Sequence, residues 1–188
     1  MSKDRTFETK FRRRQEGKTD YAKRLALVKS RKTRIVVRKT NTQIIAHAVN
    51  FNLKGDDTIA SVNSKELKKY GFYGTNNTPS AYLVGFLLGK KIAGKVSEAV
   101  LDVGRQSPSH GSVIFACLKG IADSGVKIPF SAEAVPSEDR LNGKVLDEYS
   151  KTVEGKEFFS KYIKDGIQVG EISKAFEKAK NEIEKVKA

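Results

Sequence analysis

The chain has 188 residues, 38% of them hydrophobic and 31% charged, with 36 Lys/Arg against 22 Asp/Glu and a net charge of +14. That length accommodates one sizeable folded body with an appended subdomain, and the lean apolar content leaves room for long charged segments beside a core. The single Cys117 excludes an intramolecular disulfide framework and fits a reducing, cytoplasmic setting. No apolar stretch reaches the roughly 18–20 residues of a membrane helix, and no apolar run follows the basic start as a secretory leader requires.

The charge is unevenly spread. Residues 1–40 hold 15 Lys/Arg against 4 Asp/Glu, a net of +11, whereas residues 41–130 carry +4 and residues 131–188 carry −1. Like charges crowded at one end repel within a folded domain, so they imply an external polyanion rather than a small-molecule substrate.

Residues 1–18 show no apolar period and are expected to form an extended arm that orders on its partner, with Lys10, Arg12, Arg13, Arg14 and Lys18 as its phosphate-binding candidates. "TDYAKRLALVKS" offers Thr19 as a helix cap and Asp20 in the first turn. Tyr21, Leu25 and Val28 recur there at helical spacing, with Lys23, Arg24 and Lys29 on other faces. Lys32 extends the basic run. "RIVVRKTNTQIIAHAV" predicts a β-hairpin turning at Asn41-Thr42. In that register Ile35, Val37, Ile44, Ala46 and Ala48 face a core, while Arg34, Val36, Arg38, Ile45, His47 and Val49 make a mixed basic surface. A slip of one residue would exchange the two faces.

"DDTIASVNS" predicts a third strand at about 58–62 and then a one-turn helix capped by Ser64. "NNTPSAYLVGFLLGKKIAGK" predicts a helix capped by Thr78 with Pro79 at its first position. Its broad apolar stripe holds Ala81, Leu83, Val84, Leu87, Leu88 and Ile92, and Gly85 and Gly89 are expected to let it pack closely on a sheet. "EAVLDVG" reads as an apolar strand of the kind buried inside a sheet. "GSVIFACLKGIADSG" is a helix ending at Gly125, and "VKIPF" a last short strand.

This order of elements predicts an α/β fold, a mixed sheet with an N-terminal hairpin and helices packed on it, and a right-handed strand–helix–strand step. After Pro136 the composition turns charged and mixed. "EISKAFEKAKNEIEKVK" spaces Ile172, Phe176, Ala179, Ile183 and Val186 as an amphipathic helix that must dock on something. The chain thus divides into a basic arm and short helix (1–30), an α/β core (31–130) and a helical C-terminal extension (131–188).

Phosphate binding explains the basic end, because each neutralised phosphate releases condensed counterions. RNA fits better than duplex DNA: no helix-turn-helix or zinc-finger pattern is present, and a two-stranded ribbon beside an arm suits an irregular folded RNA. Phe7, Phe11 and Tyr21, interleaved with the basic residues, are available to stack on unpaired bases, although Tyr21 serves equally as a helix-packing residue. In "DVGRQSPSHGS", His110 beside Ser107, Ser109 and Ser112 lacks a third partner and is no catalytic triad. Gly111 and Ser112 at a helix start can instead offer N–H groups to a phosphate. Asp56, Asp57, Asp102 and Asp123 do not form the spaced acidic set of a metal-dependent nuclease, the rival enzymatic reading. Asp56 and Asp57 read as turn residues, Asp102 as a loop anchor and Cys117 as a core residue, while His47 is either surface polar or an RNA contact. The sequence calls for no cofactor and no metal.

Six stretches together, "FRRRQEGKTDYAKRLALVKS", "TRIVVRKTNTQIIAHAV", "TIASVNSKEL", "TPSAYLVGFLLGKKI", "EAVLDVG" and "PSEDRLNGKVLDEY", resemble in content and order the L-eighteen family of large-subunit ribosomal proteins, archaeal type, called L-five in eukaryotes. The resemblance covers roughly residues 7–150. It implies a non-enzymatic, ribosome-bound protein of the cytoplasm that binds 5S rRNA and anchors it in the central protuberance, touching large-subunit rRNA and neighbouring ribosomal proteins. Carried onto this chain, it points to Arg12, Arg13, Arg14, Lys18, Tyr21, Arg24, Arg34, Arg38, Asn41 and the loop around Arg105, with Ser107 and His110 beyond. Bacterial relatives carry a more glycine-rich, basic loop where this chain has "GRQSPSHG". An RNA-binding assembly factor that never resides in the ribosome is the remaining alternative.

Overall fold

The computed structural model describes residues 8–152, 159–164, 166 and 168–186. Its sheet is built on a hairpin of β1 (Thr33–Lys39) and β2 (Ile44–Asn50), with Arg38 opposite Ile45 and Lys39 opposite Ile44. The turn closes at Asn41-Thr42, where the Thr40 N–H donates to the Gln43 carbonyl at 2.9 Å. Thr40 Oγ1 accepts from the Gln43 N–H at 3.1 Å, so a short hydroxyl side chain fastens the turn without an Asn-Gly pair. The period of two then sends Ile35, Val37, Ile44, Ala46 and Ala48 to one face, each with 0% exposure. On the other face Val36, Arg38, Ile45 and His47 are half-buried, but Arg34 and Val49 are buried rather than surface residues.

β3 (Asp57–Asn63) pairs antiparallel with β2, and β4 (Ala99–Asp102) pairs parallel with β1, giving the order β3-β2-β1-β4. The apolar strand β4 is therefore at the edge, not inside the sheet. "VKIPF" adds an isolated parallel bridge there, Glu98 with Lys127, in which the Ala99 N–H donates to the Lys127 carbonyl at 3.0 Å and the Lys127 N–H to the Ser97 carbonyl at 3.1 Å. Pro129, with no N–H to donate, cannot extend a ladder.

β3 runs into a 3₁₀ segment, Ser64–Tyr70, longer than the expected single turn and capped by Asn63 instead of Ser64. Asn63 accepts from the Lys65 N–H while Glu66 accepts from the Asn63 N–H, a reciprocal capping box. Ser64 is fully buried and its Oγ accepts from the Ile44 N–H at 3.2 Å.

The long helix, which we call α3, spans Thr78–Ile92. Asn77 is its cap, accepting from the Ser80 N–H at 3.0 Å, so Thr78 and Pro79 occupy the first two helical positions. An Asn carboxamide reaches the third N–H, which shifts the start one residue from the Thr78 expectation. Every residue from Thr78 to Gly89 is buried, because α3 lies between the sheet and two further helices, α4 (Val113–Asp123) and α8 (Ile172–Glu184). Gly85 serves the helix pair rather than a helix-on-sheet contact. A Cβ at Gly85 would lie 1.9 Å from the Cys117 carbonyl oxygen, and one at Gly120 would lie 2.2 Å from that of Tyr82.

The C-terminal region continues through α5 (Glu138–Asn142), α6 (Lys144–Thr152) and α7 (Ser160–Lys164) to α8. The amphipathic helix finds its partner within the chain: Ile172, Phe176, Ala179 and Ile183 are 0–2% exposed in the shared core, and Val186 packs against it. Phe176 meets Tyr82 at 5.6 Å and Phe72 at 6.5 Å. Asp147 of α6 fixes the start of α8, its carboxylate accepting from the Ile172 and Ser173 N–H groups at 2.8 and 3.0 Å.

Candidate nucleic-acid interface

Residues 8–18 are not wholly extended. They contain a single helical turn, α1 (Arg12–Gln15), followed by α2 (Tyr21–Lys29). Arg12, Arg13 and Arg14 fan outward from that turn, which buries none of its residues. Arg12 pairs with Glu16 at 3.0 Å, Lys18 pairs with Glu16 at 2.7 Å, and Arg13 Nε donates to Thr19 Oγ1 at 2.9 Å. Thr19 is thereby occupied, and Asp20 caps α2 in its place, accepting from the Ala22 and Lys23 N–H groups. The capping role falls to the carboxylate, which also suits the positive end of the helix. Phe11, 72% exposed, leans on half-buried Tyr21 with ring centroids 5.3 Å apart. Lys10 is exposed beside them, while Phe7 lies outside the described residues.

The arm and α2 approach the β1/β4 side of the sheet face opposite α3, enclosing a cleft of about 410 Å³. Six cations line it, Arg13, Lys18, Lys23, Arg24, Arg34 and Arg38, against Asp20, Asp56 and Asp102. Parallel pairing sets Asp102 opposite Val36, between Arg34 and Arg38 on the adjacent strand. Arg38 donates through Nη2 to Asp102 Oδ1 at 2.9 Å and through Nη1 to the Asp102 carbonyl at 2.7 Å. Arg34 Nη1 stands 3.6 Å from Asp102 Oδ2, and the Gly104 N–H donates to Oδ1 at 2.8 Å. Asp102 does anchor its loop, but its larger task is to hold two arginines. Asp56, from the loop after β2, reaches Arg24 Nη2 at 2.9 Å and Arg34 Nη2 at 2.7 Å. Neither aspartate announces this role in the sequence, where each reads as a turn or loop residue. The signal available was Arg34 and Arg38 on one strand face, two buried-side cations that need a counter-ion.

The loop after β4 adds Arg105 to this surface. Arg105 lies against Gly17 and shares a second cleft with Arg14 and the start of α2. Arg38 also crowds Gly104, whose φ of +62° and 2.8 Å clearance leave no room for a side chain. Ser107 and His110 are exposed farther along the loop, and His110 Nδ1 sits 3.2 Å from the Glu133 carbonyl, facing the C-terminal region. Gly111 and Ser112 do not offer free N–H groups. They donate to the carbonyls of Ala134 and Ser109 at 2.9 and 3.2 Å. Asn41 is exposed at the hairpin tip. Lys32 belongs to the other end of β1, six residues or about 20 Å from Arg38, and pairs with Glu98 at 2.7 Å.

Burial and the Arg38 charge lower the pKa of His47, so the imidazole on this face is neutral at physiological pH. Burial alone raises the Cys117 thiol to about 12, the mark of an inert core residue. Among the described residues no three His, Cys, Asp or Glu side chains gather to hold a metal ion, and no helix is long and apolar enough to cross a membrane. Asp102 cannot act as a free metal ligand while its oxygens engage Arg38, Arg34 and the Gly104 N–H.

Residues 5–97 match the family of ribosomal large subunit proteins 60S L5 and 50S L18. The chain is 47% identical over 184 residues to the large ribosomal subunit protein uL18 of Korarchaeum cryptofilum, an alignment covering 94% of each chain. It is 40% identical to uL18 of Methanobrevibacter smithii, over 98% of each, and 43% identical to uL18 of Caldivirga maquilingensis, over 97% of this chain and 93% of the relative. With similarity of that depth along nearly the whole length, the chain belongs to the uL18 family of structural, non-catalytic large-subunit ribosomal proteins.

Proposed function

We propose that this ribosome-bound, cytoplasmic protein binds 5S rRNA and holds it in the central protuberance of the large subunit, in contact with large-subunit rRNA and neighbouring ribosomal proteins. One observation carries the reading: the described part of the basic arm and α2 lie against one side of the sheet, with Arg12, Arg13, Arg14, Lys18 and Arg105 exposed there. Lys10 and Tyr21 border this patch, and Tyr21 supports exposed Phe11 as a stacking surface. Arg24, Arg34 and Arg38 form its inner layer, paired with Asp56 and Asp102. Asn41, Lys32, Ser107 and His110 lie outside the cleft and serve as outlying contacts.

In this division of labour residues 1–30 are the RNA arm, 31–130 the platform and 131–188 an extension that completes the core. A bound RNA gains its affinity mostly from phosphate neutralisation, so selectivity must come from the shape into which the two helices and the β1/β4 edge arrange those charges. Binding of 5S rRNA and of transfer RNA, each titrated at several salt concentrations, tests the proposal. Steep salt dependence for both, with 5S rRNA tighter throughout, is the expected result. Equal affinity for the two RNAs at every salt concentration would remove the 5S assignment.

A further inference from the structure

Two aspartates neutralise the arginine layer, and they are held very differently. Asp102 ends a strand, is 7% exposed, and has its carboxylate fixed by Arg38 and the Gly104 N–H. Asp56 ends the exposed loop 51–56, and its carboxylate pairs with Arg24 and Arg34. Its hold on Arg34 is also geometrically poor. Asp56 Oδ2 lies 2.7 Å from Arg34 Nη2, yet off the direction of the N–H bonds, so among the described residues Nη2 and Nε of a guanidinium only 3% exposed both lack a hydrogen-bond acceptor. Those two nitrogens form one edge of the guanidinium fork, the edge that grips a carboxylate or phosphate with two parallel bonds. Five charges are involved, three arginines and two aspartates, so the cluster retains one uncompensated positive charge even with Asp56 in place.

We infer that Asp56 is a displaceable stand-in for a phosphate: its carboxylate covers Arg24 and Arg34 in the free protein and swings out when a phosphate group enters the cleft. An incoming phosphate group supplies the second acceptor oxygen that the Nε/Nη2 edge lacks: a monoanionic RNA phosphodiester matches the charge of the carboxylate it displaces, and dianionic inorganic phosphate also cancels the residual charge. Asp102 stays throughout as the fixed support. The inference deepens the RNA-binding reading in one respect, since RNA is the source of phosphate that the proposed function names. The site itself rests only on the arginine geometry. Asp56 would then weaken binding through competition, the opposite of a residue that merely orients arginines for their ligand.

The sign of that effect is the test. Asp56→Asn is compared with the wild-type chain by titrating inorganic phosphate while following the Nε–H resonances of Arg24 and Arg34, and separately by titrating 5S rRNA. The asparagine variant should bind phosphate about two- to fivefold more tightly, the scale expected when one partly exposed ion pair no longer has to be broken. The Arg24 and Arg34 resonances should shift together, and Asp56→Asn combined with Arg24→Gln should lose most of the gain. Binding of 5S rRNA should tighten in parallel with little change in salt slope, because the same phosphate is neutralised in both proteins. Phosphate binding that is unchanged or weaker in Asp56→Asn overturns the inference, because it makes Asp56 an orienting residue. Tighter phosphate binding with unaltered 5S rRNA binding keeps the displacement and identifies free phosphate as the ligand, removing these two arginines from the RNA interface.

Discussion

Replacing Arg12, Arg13 and Arg14 together with alanine strips three cations from a helical turn that buries nothing. Little internal bonding opposes their use by a ligand. Arg12 is 85% exposed beside Glu16, and Arg13 commits only Nε, to Thr19. With one phosphate neutralised per arginine, each contributes about 0.7–0.9 to the slope of log affinity against log salt, so the triple variant should lower the slope by about 2.1–2.7. Raising salt from about 0.1 to about 0.3 M spans roughly 0.48 log units, and wild-type affinity should then fall roughly ten- to twentyfold further than that of the variant. Fluorescence anisotropy with labelled 5S rRNA at four salt concentrations measures both slopes. A thermal melt of the free protein serves as control and should shift little, since exposed surface substitutions seldom change stability by more than about 0.5 kcal/mol. An unchanged slope in a normally folded variant refutes the assignment of these arginines to phosphate. Deleting residues 150–188 is no substitute control, because it removes Phe176 and its buried neighbours from the core.

Three further outcomes test the scaffold. Gly85→Ala should lose about 3 kcal/mol in urea unfolding, because the atom it would strike is the backbone carbonyl oxygen of Cys117 and only a shift of α4 relieves the clash; a loss below about 1 kcal/mol contradicts the close helix contact. Asp147→Ala should cost about 1–2 kcal/mol by freeing the Ile172 and Ser173 N–H groups, and should speed amide exchange at those two residues; unchanged exchange rules out the cap. The Cys117 thiol, with a pKa raised from 9.0 to about 12 by burial, favours its neutral form in the folded state. Its contribution to stability is complete below pH 9 and fades as pH rises toward about 12, by up to about 1.4 kcal/mol per pH unit. Cys117→Ala should flatten that alkaline decline between pH 8 and 10.5, and an identical decline in both proteins would refute the assignment.

Much of the local structure was written along the chain. Alternating apolar residues determined which face of the hairpin is buried, and the spacing of Ile172, Phe176, Ala179 and Ile183 determined the apolar stripe of the last helix, because these patterns follow from periods of 2 and 3.6 that any solvent-exposed element must obey. The charge distribution likewise marked the basic end before any fold was known. Helix starts were legible only to within a residue: Thr19, Ser64 and Thr78 lost their expected capping roles to Asp20, Asn63 and Asn77, since neighbouring polar side chains compete for the same N–H groups and only the backbone path decides between them.

What the tertiary structure alone decided is where distant segments meet. No periodicity relates Arg34 to Asp56 and Asp102, or Arg105 to Gly17; the parallel register of β1 with β4 and the path of two loops bring them together. The docking of the C-terminal helix on α3, and the use of Gly85 against a helix instead of a sheet, depend in the same way on which apolar surfaces the completed fold leaves facing one another. A sequence specifies the surface each element must cover, whereas the choice of covering partner minimises exposed apolar area and unpaired charge over the whole chain at once.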